Sequence, residues 1–378
     1  MTIHPGLSEP RTKEEWRAYL EAEPPARPSM PRLTEYLSWS DEQRADFDHA
    51  REEYHSALII LKTAPMQRIN RQITRKLKLN TKAQAGARPG IVIDGPPTVG
   101  KSTLVKTFAA DFEQSLRTKH PERFSEERLD DYIPVVYVSV PAGATPKMLS
   151  AAIAHYLCLE LPRGATISDI STRVLEALRR CGTELIIIDD IHFLDVSVKE
   201  GRLANDHLKH LANFAAATFV YTGVEVEKSG LFLEGGHSER ATQTSGRFTL
   251  FELERFSIDT PDQAREWAEV IKGMESALAL FKHKNGTLVR EWEYLHARTN
   301  GSISSLSILI REAALEAADT GTEKITKALM DRIVLPRAAE QSYRDAKRKR
   351  RPRTQPPAPE TGGDKPGDED GGTVPAAV

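Results

Sequence analysis

Hydrophobic positions change their period twice along the chain, and each change marks a boundary. From Phe47 through Tyr54, Leu58 and Leu61, and again through Met66, Ile69, Ile73 and Leu77, apolar residues recur at helical spacing, which places them on single faces of two helices. Ser40 with Gln43 three residues on forms a capping box that opens the first, and the second follows Pro65. From Gly90 the helical period gives way to short, nearly unbroken apolar runs at Gly90–Asp94, Ile133–Val140, Leu185–Asp190, Thr218–Thr222 and Phe248–Leu253, with helical stretches between them. Such runs predict strands buried on both faces, and therefore a parallel sheet covered by helices on each side. After about Ile258 only helical periods remain, near 261–282, 288–297, 303–319 and 322–334.

These changes divide the chain into five parts. Residues 1–38 carry Pro5, Pro10, Pro24, Pro25, Pro28 and Pro31 and read as an irregular arm with one short helix around Trp16, suited to docking on a partner. Residues 39–89 form N-terminal helices, 90–257 an α/β core, 258–340 a small all-helical domain, and 341–378 a tail too polar to offset its ordering entropy.

With 39% hydrophobic and 28% charged residues the chain can bury a large core, and its formal charge of −2 conceals strong segregation of sign. No acidic side chain occurs between Glu53 and Asp94, where Lys62, Arg68, Arg71, Arg75, Lys76, Lys78, Lys82 and Arg88 all fall. A second basic cluster, Arg344–Arg353, precedes an acidic Pro/Gly-rich end. Both basic runs suit a phosphate backbone, the plainer reading being a solvated face. Aromatics do not interleave with them in sequence, so binding to nucleic acid is expected to ignore base identity and to weaken steeply with salt. Lys147, after the second strand, is a further candidate contact. The two cysteines, Cys158 and Cys181, read as helical residues without metal-ligand spacing. No run approaches the roughly 18 apolar residues of a membrane span, and the N-terminus lacks secretory order, so a cytoplasmic, membrane-free protein is expected.

The chemistry concentrates at the ends of two strands. Gly95, Pro96, Pro97, Thr98, Val99, Gly100, Lys101 and Ser102 match G-x-x-x-x-G-K-[ST] in full, between a strand and a helix, and Thr103 continues the helix. Backbone N–H groups of such a loop and the helix N-terminus face phosphate oxygens, with Lys101 reaching the β- and γ-phosphates of ATP and the Ser102 hydroxyl binding Mg²⁺. Four β-forming residues then run into Asp189 and Asp190. Asp189 is the second expected metal-site residue, and Asp190 is placed to polarise the attacking water. Thr222 ends the next strand, where it is expected to touch the γ-phosphate or that water. Arg240 and Arg247 are candidates for an arginine finger reaching a neighbouring subunit, Arg247 preferred. His192 reads as a structural or hydrogen-bonding residue.

The segments PMQRINRQI, GARPGIVIDGPPTVGKSTLVK, LIIIDDIHFL, FVYTGVEVE and TNGSISSLSILIREAALEA, spanning about 55–335, resemble the transposition ATPases TniB and TnsC, related in role to the phage Mu ATPase MuB. The resemblance implies an α/β P-loop NTPase core of the AAA+ (ASCE) type followed by a helical lid. It also implies a homo-oligomer that assembles with ATP on double-stranded target DNA and engages a transposase, often with a TniQ-type adaptor. The chain departs from AAA+ custom in placing Asp190 where Glu is usual, and Ser304 and Ser305 where a lid arginine is common. Slow, timer-like hydrolysis is therefore expected. A helicase loader or replication-initiation ATPase would share the ATP and DNA sites, whereas a signalling or remodelling ATPase would bind no DNA.

Overall fold

The computed structural model describes residues 2–3, 9–57, 59–82, 88–125, 127–194, 200–226 and 248–350. The N-terminal part contains α1 (Lys13–Glu21), α2 (Leu33–Ser38), α3 (Asp41–Ser56) and α4 (Ala64–Asn80), with a short antiparallel pair between β1 (Thr2–Ile3) and β2 (Ile59–Ile60). Ser40 and Gln43 form the expected reciprocal cap of α3, and Thr63 with Pro65 opens α4.

β3 (Gly90–Asp94), β4 (Val135–Ser139), β5 (Leu185–Asp189), β6 (Thr218–Gly223) and β7 (Phe248–Glu252) form one parallel sheet in the order β4-β5-β6-β3-β7. All five coincide with the apolar runs, each trimmed or extended by no more than a few residues. Crossovers are made by α5 (Lys101–Lys119), α6 (Pro146–Tyr156), α7 (Ile167–Arg180) and α8 (Glu200–Phe214). The middle strands are buried throughout because helices cover the sheet, and the parallel register aligns the carboxyl ends of β3, β5 and β6 at one edge. In open α/β sheets that edge is where ligands bind. Cys158 lies just beyond α6 at φ +55° and Cys181 caps α7, so neither is inside a helix.

The lid comprises α9 (Pro261–Glu275), α10 (Thr287–Arg290), α11 (Trp292–Thr299), α12 (Ile303–Asp319), α13 (Lys327–Met330) and α14 (Arg337–Arg350), packed around Trp267, Leu306 and Leu309. The short helix expected around Trp16 is α1, and Trp16 inserts into the core, where it is 2% exposed. Of the helices in 39–89, α3 packs on α12 of the lid, while Met66, Ile69, Ile73 and Leu77 of α4 join the core. The polar tail expected from residue 341 begins no earlier than 351, because α14 is anchored by Arg298, which donates to Glu340 at 2.8 Å and lies 4.9 Å from the centre of the Tyr343 ring.

Candidate nucleotide site

The loop after β3 is a backbone cradle whose conformation explains its glycines. Gly95 has φ +156°, and a Cβ there would meet the Leu253 carbonyl oxygen at 2.1 Å. Gly100, at φ +95°, turns the chain into α5, so the free N–H groups of the first helical turn face the loop. Thr98 also adopts a left-handed conformation, φ +68°. Asp94 accepts from the Gly95 N–H at 2.7 Å and closes the base of the loop. Lys101 is buried and its ammonium donates to the carbonyls of Gly95 and Pro96 at 2.7 and 2.9 Å. Burial holds its pKa below the ordinary lysine value, against the pull of Asp190, Asp94 and Asp189.

The two acids beyond β5 differ sharply. Asp189 is fully buried; its Oδ1 accepts from the Thr222 hydroxyl and from the Asp190 N–H at 3.1 Å, and its Oδ2 accepts from the Tyr137 hydroxyl at 2.7 Å. Thr222 is buried at the end of β6, and its hydroxyl donates to this acid and positions it. Asp190 is partly exposed and sits at φ +57°. That left-handed conformation is tolerated better by aspartate than by longer side chains, which gives the Asp-for-Glu exchange a backbone reason. Burial first, and Asp189 second, raise the Asp190 pKa above the usual carboxylate range. His192 Nδ1 lies 4.0 Å from Asp190 Oδ1, and its ring packs on Phe193 with centroids 4.2 Å apart.

A cavity of about 470 Å³ adjoins the loop, walled by Leu61 and Met66 before the sheet, Val99 and Gly100 of the loop, and Phe256 and Ile303 at the lid. This is the size and apolar character of a small-molecule pocket. Arg255 and Ser304 also line it, and the buried Arg255 Nε makes no hydrogen bond. The sequence offered no signal for Arg255. Ser302 ties lid to loop by donating to the Thr98 carbonyl at 3.1 Å.

The site carries Asp94, Asp189 and Asp190 against Lys101, an excess of negative charge that an incoming triphosphate would increase. A divalent cation fits this donor set, with the Ser102 hydroxyl and the Asp189 carboxylate as the protein's oxygen ligands. Among the described residues no three His, Cys, Asp or Glu side chains form a metal cage.

Of the cationic stripe, Arg71, Arg75, Lys78 and Lys82 are exposed and recur along one side of α4 and its following turn, opposite the buried Ile69, Ile73 and Leu77. Among the described residues these four form no ion pair, whereas Lys62 pairs with Asp111 at 2.6 Å and Arg68 with Glu266 at 3.1 Å. Lys147 is exposed at the start of α6. In the lid, folding brings aromatics to the second basic cluster after all: Trp292, Tyr294 and Tyr343 line a groove of about 490 Å³ with Arg290, Lys327 and Lys347. Arg240, Arg247 and the residues from 351 onward lie outside the described residues. Among the described residues no helix is long and apolar enough to cross a membrane.

Comparison with known proteins identifies the fold and the family. Orc1 of Aeropyrum pernix, solved in complex with DNA, superposes with a TM-score of 0.53 at 15% identity over 75% of this chain and 65% of the Orc1 chain. The chain thus spans just under two thirds of that relative's length. Cdc6p of Pyrobaculum aerophilum gives 0.51 at 16% identity over 72% and 68%. At such identities the likeness establishes the P-loop AAA+ fold. No curated protein sequence matches the chain. The model of the bacterial TniB protein family matches residues 61–258, more than half of the chain and all of the sheet. This protein therefore belongs to the TniB family, and its core has the fold of P-loop AAA+ ATPases.

Proposed function

We propose that this ATPase is a DNA-transposition regulator that binds double-stranded DNA without regard to sequence in its ATP state and engages a transposase, directly or through a TniQ-type adaptor. The observation that carries the reading is the unpaired cationic side of α4, whose apolar side belongs to the same core that carries the phosphate loop. The fold-related Orc1 was itself solved in complex with DNA.

In the proposed reaction the loop N–H groups and the first turn of α5 hold the phosphates, and Lys101 leaves the Gly95 and Pro96 carbonyls for their oxygens. Ser102 and Asp189 would hold Mg²⁺, which would supply charge neutralisation of the triphosphate. Thr222 keeps Asp189 oriented, and Asp190 orients the attacking water. Arg247, or Arg240, completes the site of a neighbouring subunit in a homo-oligomer. The short reach of Asp190 and the absence of a lid arginine at Ser304 and Ser305 suit slow turnover.

The test uses a gel shift on arbitrary duplex with ATP and Mg²⁺, beside a strand-transfer assay with the transposase of the same element. Lys101→Ala should lower ATP turnover by on the order of a hundredfold or more and remove ATP-dependent binding. Arg71→Glu with Arg75→Glu should weaken binding equally on all sequences and reduce the log–log salt slope by about two. DNA binding untouched by the charge reversals would refute the α4 surface. DNA binding with no effect on strand transfer would direct the assignment to a helicase-loading ATPase.

A further inference from the structure

Tyr137 connects the N-terminal segment to the acid at the end of β5. The residue lies on β4, opposite Ile187 of β5, and is completely buried. Its hydroxyl is 2.7 Å from Asp189 Oδ2 and 2.5 Å from Glu9 Oε1. A phenol has one proton to donate, so these two carboxylates compete for it. Lys106, 3.7 Å from Glu9 Oε1 and 5.7 Å from the centre of the Tyr137 ring, offsets the charge that Glu9 brings.

Further contacts make this more than a chance approach of one glutamate. The Trp16 ring of α1 stacks on Tyr137, centroids 6.2 Å apart with 15° between planes, and on Tyr19 at 5.3 Å. The Trp16 indole N–H donates to the buried Glu113 at 2.8 Å, whose other oxygen accepts from Arg117 at 2.6 Å. On the outer side of α1, Lys13 and Arg17 both pair with Asp131, at 2.6 and 3.2 Å. The segment is thus seated on the core through the ring that also touches the site's most buried acid.

We propose that Tyr137 is a positioning residue for Asp189, and that seating of Glu9–Glu21 and engagement of Asp189 by a magnesium nucleotide strengthen one another. When Asp189 is engaged, the Tyr137 hydroxyl donates to Glu9 and tightens the segment; when Glu9 accepts that hydrogen bond, Asp189 Oδ2 is released toward the site. The coupling is reciprocal, as linkage requires. A bound nucleotide is thereby reported at the surface of Glu9–Glu21, well away from the α4 cations in sequence. The inference rests on the reading of Asp189 as the metal-site acid.

Amide hydrogen exchange of residues 11–21 in the full-length chain tests it, with a non-hydrolysable ATP analogue in Mg²⁺ or in EDTA, and with nucleotide occupancy followed in the same samples by a fluorescent analogue. In the parent protein Mg²⁺ should raise protection of this segment at least threefold at equal occupancy. Tyr137→Phe keeps the ring and its stacking, and should abolish the difference. Glu9→Gln, at an exposed position that leaves folding intact, should diminish it and raise the Mg²⁺ concentration for half-maximal nucleotide binding several-fold. Nucleotide bound with Mg²⁺ but protection unchanged, or a full response retained in Tyr137→Phe, overturns the coupling alone. Absence of Mg²⁺-dependent nucleotide binding overturns the site reading and the coupling with it.

Discussion

The α/β core and the helical lid hold their N-terminal attachments by different physics. In the core, Ile91, Ile93, Val135, Val136 and Leu185–Ile188 are completely buried, and the parallel ladders pair their peptide groups. Trp16 attaches there by area and stacking, with one charge-assisted hydrogen bond. The lid has its own apolar interior, but its junction with α3 is built on buried charge. Arg51 is 1% exposed and pairs with Glu323 at 2.8 Å, donates to the Ala279 carbonyl at 3.2 Å, and lies 5.1 Å from the centre of the Phe281 ring. Glu323, at φ +57°, also accepts from the Phe281 N–H at 3.1 Å. An apolar contact tolerates small displacement, whereas a buried ion pair is satisfied in one arrangement only. The lid is consequently fixed in orientation to α3, while the sheet is fixed by its own strands.

Cutting that ion pair should have the largest effect. Glu323→Ala removes the buried carboxylate facing the Arg51 cation, leaving only the part-exposed Asp48 at 3.1 Å, and should cost about 3 kcal/mol in urea or guanidinium unfolding. Loss should fall on the lid transition, with the core unfolding near its parent midpoint. A loss below about 1 kcal/mol would mean that the junction relaxes like an apolar one.

An intermediate effect comes from histidines, one in each region. His55 accepts from the Ala279 N–H at 3.0 Å at the lid junction, and His207 shares a 2.7 Å hydrogen bond with Ser150 in the core. Burial pulls both down to about 4, helped by Arg51 and Arg27 for His55 and by His210 for His207. Between there and the unfolded value of about 6.5, the unfolded chain binds protons that the folded chain refuses, so stability is complete above about pH 6.5 and falls as pH drops toward 4. Each should remove about 2 kcal/mol between pH 7.5 and pH 5. His55→Gln should flatten the lid's share of the pH dependence and His207→Gln the core's, read from unfolding curves at both pH values. An unaltered pH dependence in both variants would remove these groups as its source.

The smallest expected effect lies where the two regions meet over the nucleotide loop. Ser302 caps α12 by accepting from the Ser305 N–H and also donates to Thr98. Ser302→Ala should cost about 1 kcal/mol of stability. It should also weaken nucleotide binding more than Thr287→Ala, a change on the lid away from the loop, as measured by nucleotide titration. Equal effects of the two substitutions would show that the lid does not steady the loop through Ser302.

What the sequence determined by itself was everything carried by neighbouring residues: the five strands as apolar runs, the Gly95–Ser102 cradle and the Asp189–Asp190 pair, because ladder burial and phosphate chemistry impose a contiguous pattern. The tertiary structure alone decided which distant groups meet. Tyr137 reaches Glu9 across 128 residues and Arg51 reaches Glu323 across 272, and no local period encodes such pairs. The same limit explains the basic residues of α14, which read as a solvated tail until Arg298 supplies both a salt bridge to Glu340 and a cation over Tyr343. A hydrophobic period records which side of an element is buried. Strand order and helix packing decide what it is buried against, and those are properties of the whole chain.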